Sequence, residues 1–309
     1  MIQTHRPNLI SIVGPTAVGK TALAVSLAQK LETVIISADS RQFYREMKLG
    51  TAKPSTDEMS KAKHYFIDTL SINESYNAGQ YERDALQLLD ELFLKQKNIL
   101  LVGGSGLYCK AIWQGMDDMP GIDFSFRQEL NHQFETEGIG NLQQELKDRD
   151  PAYFDVVDQA NPMRLIRALE IIRSSGNTYS HYRKQEESVQ DRPFNCINIG
   201  LELDRSLLFE RIDRRMDQMI DRGLFEEATK LYPKRHLNAL QTVGYQEIHG
   251  YLDQAYDKEE AIRLLKRNSR RYAKRQMTWF KKDPSITWFT NNNQHVLLAE
   301  VQNFLAEKL

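Results

Sequence analysis

Gly14-Pro15-Thr16-Ala17-Val18-Gly19-Lys20-Thr21 places two glycines, a lysine and a hydroxyl at the spacing GxxxxGK[ST]. Such an octapeptide suits a polyphosphate. Glycines let the backbone curl until its amides point at phosphate oxygens. Lys20 can reach the outer phosphates, and the Thr21 hydroxyl can hold Mg²⁺. The flanking residues supply the required context, since apolar Leu9–Val13 precedes the loop and helix-like Ala22–Leu31 follows it. A helix starting there adds partial positive charge at its N-terminus. The open question is what leaves or receives the phosphate.

Further groups fall at the ends of other apolar runs. Val34–Ser37 leads into Ala38-Asp39-Ser40-Arg41-Gln42. In an open α/β sheet, ligands sit outside the C-terminal ends of the strands, so Asp39 belongs near the loop. It could bind Mg²⁺, act as a general base or cap a helix. Gly50-Thr51-Ala52-Lys53-Pro54 offers a turn, a hydroxyl and a cation, and Gly103-Gly104-Ser105-Gly106-Leu107-Tyr108 is a second glycine-rich turn after a strand-like run. Arginines at 164, 167, 211 and 214 could neutralise phosphate, although Asp213, Asp217 and Asp221 could equally pair with the latter two. Gly244-Tyr245 joins a flexible residue to a ring. Lys274–Phe280 mixes cations with aromatic surface of the kind on which splayed RNA bases stack.

These groups need a scaffold. Leu9–Val13, Val34–Ser37, Tyr65–Asp68, Asn98–Val102 and Cys196–Leu203 read as short buried strands, separated by helical runs such as Ala22–Leu31 and Tyr81–Lys95. The alternation predicts an α/β fold, a P-loop NTPase-like parallel sheet flanked by helices. Strand signals stop near Met116 and resume after Pro193. Helical runs at Phe126–Thr136, Asn141–Arg149 and Pro162–Ser174 fill the gap. The expected organisation is a core of residues 1–116 and 194–309 carrying an all-helical insertion, 117–193, with hinges at Gly115–Gly121 and Gln190–Pro193. The C-terminal third returns one strand and then long helices.

With 309 residues and a net charge of −1, whole-molecule charge calls for no polyanionic partner. Charge is nonetheless segregated. Residues 117–158 hold eleven acidic and three basic side chains, whereas residues 263–282 hold nine basic and no acidic ones. Arg263, Lys266, Arg267, Arg270, Arg271 and Lys274 share one face of a helix, a pattern that suits a phosphate backbone. Two cysteines exclude a disulfide framework and suggest a reduced, cytoplasmic setting. The polar N-terminus, Met1–Asn8, lacks a signal-peptide apolar region, and no run approaches membrane-spanning length.

Taken in order, Gly14–Thr21, Ser37–Gln42, Gly50–Pro54, Gly103–Tyr108, Arg164–Glu170, Val243–Tyr245 and Ala273–Trp279 resemble the motifs of the tRNA dimethylallyltransferase (tRNA isopentenyltransferase) family. The resemblance implies transfer of a dimethylallyl group from its diphosphate to the exocyclic amine of the adenosine 3′ to the anticodon, in tRNAs that read codons beginning with U. The loop 14–21 would cradle the diphosphate with Mg²⁺, and Asp39 would be the general base. Arg214 would steady the diphosphate, with Arg211 as the competing choice. Ser105 replaces the family's usual threonine but keeps the hydroxyl. The anticodon stem-loop would meet Asp39, Ser40, Arg41 and Gln42, the insertion residues Met163 (usually glutamine in the family), Arg164, Leu165, Ile166 and Arg167, and also Gly244, Tyr245, Arg270, Lys274 and Arg275. The acidic stretch would face away from the RNA. The target base would have to be flipped out of its stack. With no cysteine beyond Cys196, the chain resembles the compact bacterial form, and a monomer is expected.

Two other activities share parts of this pattern. A P-loop small-molecule kinase would use the same loop but has no need of the basic helix or the insertion. Prenylation of free adenine nucleotide would need neither. A non-enzymatic RNA-binding module leaves the loop and Asp39 unexplained.

Overall fold

A computed structural model describes residues 6–117, 119–183 and 191–309. Met1–His5 of the polar N-terminus, Asp118 of the first expected hinge and Gln190 of the second lie outside the described residues. The chain divides into two compact units. One runs to Gln114 and resumes as Asp191–Leu309, and the other is Gly115–Gln190.

The first unit is built on a parallel sheet of β1 (Asn8–Val13), β2 (Ile35–Ser37), β3 (His64–Tyr65), β4 (Asn98–Gly103), β5 (Asn195–Glu202) and β6 (Ile286–Thr290) in the order β3-β2-β4-β1-β5-β6. Every residue of β1 is buried, as expected of a central strand with both faces covered. Helices α1 (Lys20–Lys30), α2 (Thr56–Lys61), α3 (Ala78–Phe93) and α4 (Gly106–Gln114) alternate with the early strands. One face of the sheet buries Leu23 and Leu27 of α1 and also packs the later helices, while the other buries Tyr81, Leu89 and Ile112 of α3 and α4. The register sets Val13 beside both Gly103 and Gly200, so β1 and β4 finish level, β5 runs two residues further to Glu202, and the loops that follow lie at one edge of the sheet.

Two expectations change. Strand β3 stops at Tyr65 instead of reaching Asp68, because Phe66 and Asp68 take left-handed backbone angles (φ 61 and 56) that cannot continue a ladder. The C-terminal third holds a second strand, β6, paired with β5 from Asn198↔Ile286 to Glu202↔Thr290. Its five residues come shortly after the long helix that ends at Phe280 and form an edge, so its apolar run is short and half-exposed.

The second unit consists of α5 (Phe124–Glu137), α6 (Gly140–Arg149), α7 (Pro151–Phe154), α8 (Pro162–Ser175) and α9 (Tyr179–Tyr182). Leu130, Leu142, Leu146, Leu165 and Leu169 form its own core. Helix α8 shows why these residues fold as they do. Asn161 caps its N-terminus by accepting the Arg164 amide, Pro162 opens the first turn, and Gly176 ends it in the left-handed region (φ 76).

Back in the first unit come α10 (Arg205–Asp221), α11 (Leu224–Leu231), α12 (Gln246–Leu252), α13 (Lys258–Phe280) and α14 (Gln294–Lys308). Helices α10 to α13 bury Met219, Leu224, Ile248 and Leu265 with Met47 in a further cluster. Among the described residues no helix is long and apolar enough to cross a membrane.

Candidate active site

The loop after β1 turns through left-handed angles at Ala17 and Gly19 (φ 64 and 104) and delivers the chain into α1 at Lys20. Its curl is held from outside. Asn291, just past β6, donates to the Val18 carbonyl at 2.6 Å, and Gln276 of α13 accepts the Thr16 amide at 2.9 Å. The Lys20 ammonium donates to the Gly14 and Pro15 carbonyls at 3.0 and 2.8 Å. Its pKa is lowered to about 8, chiefly because burial strips it of water. Asp39 opposes that shift and Arg215 adds to it. Thr16, Ala17, Gly19, Lys20 and Thr21 border a cavity of about 380 Å³. Gly14 and Pro15 contribute carbonyls to Lys20, and the Val18 side chain lies in the core.

The end of β2 forms the facing wall. Asp39 borders the same cavity, and its Oδ1 accepts the Arg41 amide at 2.9 Å, which closes a tight turn. Gly103 of β4 lies directly against Ala38, where a Cβ would overlap the Ala38 carbonyl, so only glycine allows the approach. Ser105 is not a cavity wall. Its hydroxyl accepts the Ser40 amide at 3.0 Å and so positions the turn that carries Asp39. Gln42 accepts from the Ser37 hydroxyl at 2.9 Å and donates to the Thr51 and Ala52 carbonyls at 3.4 and 3.3 Å, tying β2 to the loop that follows Gly50. Tyr272 of α13 completes this side, its pKa raised to about 12 mainly by burial.

Of the α10 arginines, the one that borders the cavity is neither Arg214 nor Arg211. Arg214 is two-thirds exposed and pairs with Glu210 along the outside of α10, and Arg211 does not border the cavity. Arg215 does, donating to the Thr16 hydroxyl at 3.2 Å and to the Ala52 carbonyl at 3.1 Å. The reason is helical phase. Ile212, Met216 and Met219 face inward on α10, and Arg215 shares their side, while Arg214 is turned about 100° away. Burial lowers the Arg215 pKa, and Asp39 opposes the shift.

Five expected RNA contacts are relocated. Tyr245 is wholly buried and donates to Glu227 at 2.6 Å, because it fills the space over Gly50. Gly244 borders the cavity as a left-handed turn (φ 106). Leu165 and Ile166 belong to the core of the second unit, as the inward residues of α8. Arg270 donates to both carboxylate oxygens of Asp213 at 2.6 and 2.7 Å, a tie between α13 and α10.

Other expected contacts remain at the surface. Lys274 and Arg275 are exposed and share a shallow depression with Thr278, Trp279 and Lys282. Met163 and Arg164 are exposed on the second unit, and Arg167 pairs with the buried Glu170, as does Arg127. Sequence reasoning missed Gln276, Glu227 and Arg215 as site-building residues. Only Arg215 carried any signal, its spacing from Ile212 and Met219, and that spacing selects it only once those two residues are known to pack inward.

A magnesium ion fits the donor set. The Thr21 hydroxyl and the Asp39 carboxylate both border the cavity, and among the described residues there is no cluster of three or more acidic, histidine or cysteine ligands. Magnesium is commonly held this way, by one or two protein oxygens with phosphate and water supplying the rest.

Residues 42–283 match the family model for IPP transferase. The chain is 50% identical over 301 residues to a tRNA dimethylallyltransferase of Cytophaga hutchinsonii, covering 97% of each chain. Among solved structures it resembles a full-length tRNA isopentenylpyrophosphate transferase of Bacillus halodurans, with 39% identity, a TM-score of 0.73 and coverage of 98% of this chain and 96% of that one. It also resembles a tRNA isopentenylpyrophosphate transferase of Staphylococcus epidermidis, at 30% identity and a TM-score of 0.71, over 98% of this chain and all of that one. A family model that runs from the Asp39 turn's last residue through α13, and relatives matched nearly end to end, leave no part of the cavity outside the likeness: the chain belongs to the IPP transferase family, that of the tRNA dimethylallyltransferases.

Proposed function

We propose that the chain transfers a dimethylallyl group from dimethylallyl diphosphate to the exocyclic amine of the adenosine 3′ to the anticodon, in tRNAs that read codons beginning with U. The observation that carries the reading is a single cavity bordered on one side by Lys20, Thr21 and Arg215 and on the other by Asp39. A polyphosphate cradle that shares its cavity with the Asp39 carboxylate suits a reaction in which diphosphate leaves and a proton must be removed.

In this reading the allylic C–O bond breaks and its electron pair departs with the diphosphate. The new bond joins the amine nitrogen to the allylic carbon, and the amine proton passes to Asp39. Loop amides, Lys20 and Arg215 hold the charge that builds on the leaving group. Thr21, with Asp39 nearby, would hold Mg²⁺, which supplies Lewis-acid stabilisation of the diphosphate. Asp39 matters because an adenine amine is a poor nucleophile until a base within reach takes its proton. Ser105 acts through the Ser40 amide, holding the Asp39 turn. Lys274, Arg275 and Trp279 suit the RNA backbone and an unstacked base. Met163, Arg164 and Arg167 suit the stem-loop from the second unit. The same reading makes the chain a cytoplasmic monomer acting on tRNA.

The test is transfer from radiolabelled dimethylallyl diphosphate with Mg²⁺, offering unmodified tRNA, AMP and ATP as acceptors. Label should enter tRNA alone and disappear when the adenosine after the anticodon is replaced. Asp39→Ala should slow transfer by about 10²–10⁴-fold, the usual share of a general base. Label in AMP or ATP would move the function to nucleotide prenylation.

A further inference from the structure

Glu227 stands one turn into α11, outside the cavity, and makes an unusual set of contacts. Its carboxylate accepts the amides of three consecutive residues, Lys48 at 3.1 Å, Leu49 at 3.0 Å and Gly50 at 3.2 Å, together with the Tyr245 hydroxyl at 2.6 Å. Three successive N–H groups converging on one oxygen pair fix the direction of the backbone that follows. That backbone is the cavity wall Thr51-Ala52-Lys53.

The wall is strained. Ala52 takes a left-handed angle (φ 50), a region that residues with a Cβ rarely adopt. It is pinned beyond that point by Lys53, whose ammonium reaches the Tyr44 carbonyl at 2.5 Å and pairs with Asp68. The Ala52 carbonyl then accepts from Arg215 at 3.1 Å, and the other end of that guanidinium meets the Thr16 hydroxyl at 3.2 Å. A strained segment persists only where its surroundings over-determine it, and Glu227 supplies the upstream constraint.

We propose that Glu227 is a positioning residue for the transfer reaction, clamping Lys48–Gly50 so that the Ala52 carbonyl holds the Arg215 guanidinium toward the diphosphate. The proposal rests on the reading of Arg215 as a diphosphate ligand. Glutamine at 227 offers one acceptor and sets an amide N–H₂ against backbone donors, so the clamp opens while the side-chain volume is kept.

The measurement is calorimetric binding of inorganic diphosphate, with Mg²⁺, to the full chain carrying Glu227→Gln, Arg215→Ala or both, with melting temperatures read in parallel. Glu227→Gln should weaken binding about tenfold and Arg215→Ala about a hundredfold, with the double variant no weaker than Arg215→Ala alone. Unchanged binding in Glu227→Gln, or losses that add in the double variant, would overturn the proposal. Unchanged binding in Arg215→Ala would overturn the Arg215 reading itself and the proposal with it. Should Glu227→Gln fail to fold, Tyr245→Phe removes one of the four donors and keeps the ring. It should weaken binding about threefold, again only when Arg215 is present, because each net hydrogen bond is modest. A Tyr245→Phe effect of equal size without Arg215 would count against the clamp.

Discussion

Lys20 commits its ammonium to two carbonyls of its own loop, so an incoming diphosphate has to compete for it. Its pKa near 8 makes that competition sensitive to pH. An unfolded lysine titrates at its ordinary 10.5, so between about pH 8 and that value the unfolded chain carries the extra proton. Stability of the ligand-free protein should therefore rise with pH across this window, as the penalty of burying the charge is relieved. Diphosphate favours the charged form, so its binding above pH 8 should draw in a proton. Calorimetry at about pH 9 in buffers of different ionisation enthalpy should show uptake approaching one proton per site. Lys20→Arg, charged throughout, should remove that uptake and leave only the titration of diphosphate itself. Equal uptake in both proteins would mean that Lys20 keeps its proton. At this scale the loop 14–21 and Asp39 were legible because their chemistry lies in contiguous residues. Arg215 was not, since Arg211, Arg214 and Arg215 share one run and only the packing of Ile212 and Met219 chooses among them. Tyr245 misled because a ring beside a glycine looks the same whether it faces a ligand or covers Gly50.

Helix α13 shows how a charge pattern read in one element can be spent on another. Its basic face runs from Arg263 to Lys274, but Arg270 is tied to Asp213 and Lys266 to Asp217, both on α10, and Arg263 pairs with Glu260 one turn back. About fifty residues separate the partners on α10 and α13, so no window along the sequence brings the two signs together. The face therefore divides into a half that fastens helices and a half beyond it, at Lys274, Arg275 and Trp279, that is exposed. The two halves should respond differently to charge removal. Lys274→Ala should weaken tRNA binding and reduce the slope of log K against log salt by about 0.7–0.9, the loss of one phosphate contact. Arg270→Ala should leave that slope unchanged and lower stability by on the order of 1 kcal/mol, the scale of a partly exposed, well-aligned pair. Filter binding across a salt series, beside thermal melts, separates the two. A changed slope in Arg270→Ala would return that residue to the RNA face.

The parallel sheet was legible because its strands are apolar on both faces and alternate with helices. Edge strand β6 was not, being short and half-exposed. The helical run between α4 and β5 was legible through its loss of strand signals, and it has a core of its own. The two ends of the first unit's chain at this interruption are fastened together. Arg192 donates to the Ile112 and Ala111 carbonyls at 2.8 and 2.7 Å, so the exit of α4 and the approach to β5 are neighbours without help from the intervening residues. An insertion whose ends already meet can be removed with little strain on its host. A chain in which a short glycine-serine linker replaces residues 116–190 should fold, because its sheet and three core clusters are untouched. It should bind inorganic diphosphate with the affinity of the full chain, since every residue bordering the cavity is retained. It should transfer little or nothing to tRNA, having lost Met163, Arg164 and Arg167. Diphosphate calorimetry and the radiolabel assay on the same preparation read the two halves of that expectation. Lost diphosphate binding in a folded protein would show that the helical unit helps build the cavity, and retained transfer would remove it from tRNA recognition.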